Sequence, residues 1–207
     1  MILDYQKFNE AKSIGDVYHF TNIPNLIKII SSDTILPSKS VEPLDRRSTR
    51  YLNYDGDELP EIEDPSSYYY YISTTREYDF WKRDPEISGS IVRIRLDGTK
   101  ISQNYKVVPF SFFTTNVPKS KIGSINESEE RIILKSNKGI QTSKYLKNVE
   151  VIWEKLLQTY KRKPITIERN LKSLYDSNVD FIIVKGGKKL DLESFGETLN
   201  LLRKESE

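Results

Sequence analysis

Apolar and polar positions change rhythm along this chain. Residues 17–21, Val-Tyr-His-Phe-Thr, form a short β-type run. A helical pattern follows at once: Asn22 suits an N-cap, Pro24 the first turn, and Leu26, Ile27, Ile29 and Ile30 share one face. Ser31-Ser32-Asp33 ends that helix, and Ile35-Leu36-Pro37 begins a loop, because a proline holds the residue before it in extended geometry. Strands are expected over 68–73, 131–135 and 149–153, with 91–96 a half-exposed strand alternating apolar and basic residues and ended by Asp97-Gly98. A further extended stretch covers 105–113, broken by Pro109. From 154 onward the period lengthens: helices are expected over 154–161, 166–175 and 195–204, around a buried strand at 180–184 closed by Gly186-Gly187.

Residues 1–16 read as a helix-poor lead-in, and 38–67, polar and rich in Pro, Asp and Glu, as a long mobile segment of the kind that is commonly functional or disordered. There is no internal repeat. The whole reads as an α+β chain, sheet in the middle and helices towards both ends. We expect a core over 1–150 and a helix–strand–helix extension over 151–207 packed on the same domain.

Composition narrows the chemistry. With 207 residues, 37% of them hydrophobic, the chain can bury a real core. It has no cysteine and a single histidine, His19, which excludes disulfides, cysteine–zinc sites and two-histidine metal sites. There is no Walker A sequence, no G-x-G-x-x-G and no G-x-S-x-G elbow. No apolar run is long enough to cross a bilayer and the first residues lack the layout of a signal peptide, so a cytoplasmic protein without membrane contact is expected. Thirty-two Lys and Arg against 30 Asp and Glu leave a charge of +2, without the basic excess of a dedicated duplex-DNA binder.

The remaining signals are three segments in a particular order. Tyr18-His19-Phe20-Thr21 leads into a helix carrying Asn25-Leu26 and then Ile35-Leu36-Pro37; Ser73-Thr74-Thr75-Arg76 follows; Val108-Pro109-Phe110-Ser111-Phe112 and then Glu127-Ser128-Glu129-Glu130-Arg131 close the series. Each has an ordinary structural reading, Ser-Thr-Thr as β-propensity and Glu-Ser-Glu-Glu as a solvated loop before a strand. In this order they resemble the ADP-ribosyltransferase superfamily, most closely its DarT-like nucleic-acid-modifying branch and related phage and bacterial toxin-like proteins, over residues 16–135. His19 stands where the arginine of the Arg-Ser-Glu toxins would be, while Ser-Thr-Thr follows the Arg-Ser-Glu style.

The resemblance implies an ADP-ribosyltransferase-like split β-sandwich with flanking helices, NAD as cosubstrate, no metal, and mono-ADP-ribosyl transfer to a macromolecular acceptor, either nucleic acid or protein. By the same resemblance Glu129 is the catalytic acid and Glu127 orients or deprotonates the acceptor. Glu130 competes with Glu129, because strand register decides which carboxylate faces the cleft. His19, supported by Thr21, would hold the adenosine-side ribose, with Asn25 on the following helix; Ser73, Thr74 and Thr75 would line the nicotinamide pocket. A pyrophosphate needs an arginine, and Arg46, Arg47, Arg50 and Arg76 are candidates. The alternatives are a non-enzymatic binding module on the same fold, and a metal-independent RNA-processing protein that uses His19 as general base.

Overall fold

The computed structural model describes residues 14–37, 70–79, 90–109, 129–134 and 136–206, with the backbone alone at Tyr70, Lys106, Val108, Pro109, Glu129, Glu130 and Ile133. In chain order the described elements are β1 (Asp16–Thr21), α1 (Ile23–Ser31), β2 (Thr34–Ile35), β3 (Tyr70–Thr75), β4 (Val92–Asp97), α2 (Gly98–Asn104), β5 (Lys106–Pro109), β6 (Glu129–Leu134), β7 (Ile140–Gln141), α3 (Thr142–Tyr145), β8 (Leu146–Ile152), α4 (Trp153–Arg162), α5 (Pro164–Tyr175), β9 (Ile182–Lys185), β10 (Lys188–Leu190) and α6 (Phe195–Ser206). This is a mixed chain with antiparallel and parallel strand pairs, consistent with the expected α+β class. The readings of 1–13 and 38–67 lie outside the described residues.

The described residues divide into two compact units, one of 14–17, 34–37, 70–78, 97–109, 129–134 and 136–141, the other of 18–33, 79, 90–96 and 142–206. The expected boundary after residue 150 falls inside β8, whose following elements share a unit with α1 and most of β4.

In the first unit β6 runs antiparallel between β3 and β5. Ile72, Ile132 and Leu134 are buried at cross-strand neighbouring positions and make its apolar face. Helix α2, which the sequence pattern does not predict, is started by Asp97, whose carboxylate accepts the Lys100 N–H at 3.0 Å, and it buries Ile101. Strands β2 and β7 pair Thr34 with Gln141 and Ile35 with Ile140, where the sequence predicts only a loop after Asp33. The approach to that pair needs glycine at 139: its φ is +75°, and a Cβ there would stand 2.2 Å from the Ile35 carbonyl oxygen. Gly139→Ala should therefore cost about 1–2 kcal/mol for the left-handed conformation alone, with the backbone clash adding to it. Urea unfolding measures the loss.

In the second unit the strands run in the order β10, β9, β8, β4, β1. Strands β8 and β9 are parallel, so the chain must cross back between them, and α4 and α5 form that crossover. Gly186 and Gly187, at φ +57° and +79°, make the two-residue turn from β9 to β10. The helices pack through Trp153, Leu156 and Tyr160 of α4, Ile167, Leu171 and Leu174 of α5, and Leu199 and Leu202 of α6. Helix α1 packs on α5 and begins as its sequence indicates, with the Asn22 side chain accepting the Asn25 N–H at 2.9 Å.

Helix α6 is fastened at its end by Glu205, which accepts from the Trp153 indole N–H at 2.8 Å and from Lys185 at 2.7 Å. The Lys185 ammonium, then the indole, hold this carboxyl below its usual pKa. A depressed folded-state pKa contributes stability that is present above the unfolded carboxylate's range and is lost as pH falls through the folded value. Glu205→Gln should therefore lower the urea midpoint at neutral pH and leave a shallower decline on acidification, read from urea midpoints taken across acid pH.

Strand β4 corrects the sequence reading of a half-exposed strand with its arginines outward. Ile91, Val92, Arg93, Ile94 and Leu96 are all buried, Arg93 to 1% exposure. Its cross-strand partner Glu150, 4% exposed, supplies the counter-charge: the Arg93 Nε–H donates to Glu150 Oε2 at 2.7 Å and Nη2 donates to the same oxygen. Asn148 Nδ2 donates to Glu150 Oε1 at 3.1 Å, and the guanidinium lies 5.8 Å from the centre of the Tyr18 ring. A buried guanidinium persists only with such partners.

Candidate functional site

The residues singled out from sequence fall in both units. In the first, β3 and β6 are register partners, Ser73 opposite Arg131, Thr74 opposite Glu130 and Thr75 opposite Glu129. The Ser-Thr-Thr motif and the Glu pair, more than fifty residues apart in sequence, are therefore adjacent on neighbouring strands. Both strands reach further than expected. β3 runs on past Ser73 to Thr75, the expected positions 68 and 69 lying outside the described residues, and β6 includes 129 and 130 before the expected start at 131, so both glutamates are in the ladder and not in a preceding turn.

Side-chain environments on β3 differ residue by residue. Ser73 is exposed at the strand surface, and its Oγ accepts a hydrogen bond from Arg131 Nη1. Arg131 is 8% exposed, with its guanidinium carbon 4.7 Å from the centre of the Tyr71 ring, a cation–π distance. Thr74 and Thr75 are both buried, so Ser73 and Thr75 do not share exposure as simple alternation predicts. The Thr75 hydroxyl oxygen accepts the Glu77 N–H at 3.1 Å, a side-chain turn that ends the strand. Arg76, next along, is exposed.

In the second unit, His19 is half-buried on β1 and Thr21, two residues on, is buried. The Asn25 N–H is engaged by the helix cap and the residue is exposed in the first turn of α1. Glu127, Arg46, Arg47 and Arg50 lie outside the described residues. Among the described residues no group of three or more His, Asp and Glu side chains stands close enough to hold a metal ion, and no helix is long and apolar enough to cross a membrane.

A scan against family models, a search of curated proteins and a search of solved structures each find no match to this chain.

Arg131 is the site residue that the sequence pattern alone does not single out. By pattern it is the first residue of a strand, and the arginines that stand out as phosphate ligands are those at 46, 47, 50 and 76. The available signal is its position two residues after Glu129, in the same two-residue phase of the strand. Chemically, β3 and β6 assemble a serine hydroxyl oriented by a buried guanidinium, an aromatic ring beside that cation, and a strand end where Glu129 pairs with Thr75.

Proposed function

We propose that the chain is an NAD-dependent mono-ADP-ribosyltransferase on an ADP-ribosyltransferase-like split β-sandwich, releasing nicotinamide and passing ADP-ribose to a macromolecular acceptor. The observation that carries this reading is the β3–β6 register, which pairs Thr74 with Glu130 and Thr75 with Glu129. Breaking the nicotinamide–ribose bond develops positive charge on the ribose. A carboxylate beside the ribose hydroxyls stabilises that charge most in the transition state, as carboxylates do in glycoside hydrolysis. Neighbouring hydroxyls hold the acid and the nicotinamide ribose in place.

Register also favours one glutamate. Position 130 is in phase with the apolar Ile132 and Leu134, whereas position 129 is in phase with the Arg131 guanidinium and its partner Ser73; polarity and not burial separates the two, since Thr74 and Thr75 opposite them are both buried. The acid role is therefore assigned to Glu129, with Glu127 acting on the acceptor. Nicotinamide release from NAD by the purified chain tests the reading. Turnover supports it; the absence of both turnover and stabilisation of the fold by NAD refutes it.

A further inference from the structure

The helices of the second unit carry an uneven charge that this reading does not use. Residues 153–175 contain six Lys and Arg against two Glu, in a chain whose overall charge is only +2. The carboxylates of α4, α5 and α6 are all engaged locally. Glu154 accepts the Gly186 N–H at 2.7 Å, and Glu168 accepts from the Tyr160 hydroxyl at 2.9 Å and from Arg203 at 3.2 Å. Glu197 accepts the Glu193 and Ser194 N–H groups at the start of α6, and Glu205 holds Lys185 and Trp153. At the end of α5, Asp176 pairs with Lys172 at 2.8 Å. Helix α1, which packs on α5, adds Lys28 and no acid.

Lys161, Arg162, Lys163 and Arg169 are left exposed, their side chains without an ion pair or hydrogen bond to any of the described residues. Lys161 and Arg162 sit in the last turn of α4, where any cation complements the helix dipole. That accounts for neither Lys163, beyond the helix, nor Arg169 on α5. On α5 the exposed positions between Pro164 and Ser173 are Ile165, Thr166, Arg169 and Lys172, with a hydroxyl among the cations and no carboxylate.

We propose that this corner, Lys161-Arg162-Lys163 with Arg169, is a docking surface for the phosphodiester backbone of a nucleic acid. From Lys163 to Lys172 the ridge runs about 13 Å, which spans about four nucleotide steps of one strand. Guanidinium, ammonium and hydroxyl donors are the groups that bind phosphate oxygens without reading sequence. A membrane surface fits less well: an interfacial helix presents a broad apolar face, whereas the apolar face of α5, Ile167, Leu171 and Leu174, is buried and Ile165 alone is exposed. The surface stands apart from the transferase reading, and its test contains no NAD, so either can fail alone.

The test measures binding of a fluorescent 20-mer, single-stranded and duplex, over a range of salt concentrations. The expected result is salt-sensitive binding that weakens tenfold or more in Lys161→Ala/Arg162→Ala/Lys163→Ala and further when Arg169→Ala is added. The slope of log affinity against log salt should become shallower by about 0.7–0.9 for each phosphate that the variant no longer neutralises. Lys188→Ala/Lys189→Ala, which removes two exposed cations from β10, should stay within about twofold of the parent, a change too small for a neutralised phosphate. All these positions are exposed, and melting curves matching the parent's show that the fold is kept. No binding by the parent chain, equal weakening in the β10 control, or tighter binding to phosphatidylserine vesicles than to either oligonucleotide would each overturn the assignment.

Discussion

Glu129→Gln should reduce nicotinamide release from NAD by about 10²–10³-fold, the range seen when one preorganised electrostatic contact to a transition state is removed. Gln keeps the size and hydrogen-bonding reach of the side chain and removes only its charge, so the KM for NAD should move far less than kcat. An interaction made mainly in the transition state has that signature. Glu130→Gln should cost less, because position 130 follows the phase of the apolar Ile132 and Leu134 and position 129 that of Arg131. Ser73→Ala should raise KM more than it lowers kcat, since its hydroxyl orients rather than carries charge and is itself held by Arg131. Steady-state kinetics of the three variants separate these roles, and equal effects at 129 and 130 would contradict the register argument.

The second large effect concerns the second unit's core. Glu150→Ala should destabilise the protein by about 3–5 kcal/mol, because it takes the Glu150 carboxylate away from a guanidinium that stays buried. That is a large fraction of the roughly 5–15 kcal/mol that holds a typical domain together. The double replacement Arg93→Met/Glu150→Leu should restore most of the loss, because a buried pair exchanged for apolar side chains of similar volume is often neutral or stabilising. Urea midpoints for parent, single and double variants complete the cycle. A double variant as unstable as the single would mean that the pair contributes more than mutual neutralisation.

Sequence legibility follows the range of the forces involved. Helix α1 is readable because its signals are local, the Asn22 cap, Pro24 and an apolar face within nine residues. The α4 and α5 helices, the buried strand β9 and the glycine turn after it are readable for the same reason. Helix α2 is not, because Gly-Thr-Lys-Ile-Ser-Gln-Asn has weak intrinsic helix preference, and Asp97, which reads as ending a strand, also starts the helix. Strand β4 misleads because nothing near Arg93 announces that Glu150, fifty-seven residues on, will neutralise it. At the site, the residue types and their order are visible, but the pairing of Thr75 with Glu129 is not. Register is set by cross-strand packing, and a shift of one position reassigns every side chain to the opposite face. Arg131 stays hidden for that reason, since its partners Ser73 and Tyr71 come from β3.

The most direct test uses NAD labelled separately in its nicotinamide and adenylate halves, incubated with the chain and a cell lysate. The account predicts that nicotinamide label appears free while adenylate label enters a macromolecular fraction, and that both signals vanish in Glu129→Gln. Intact NAD recovered in both labels, or release unchanged in that variant, would contradict it.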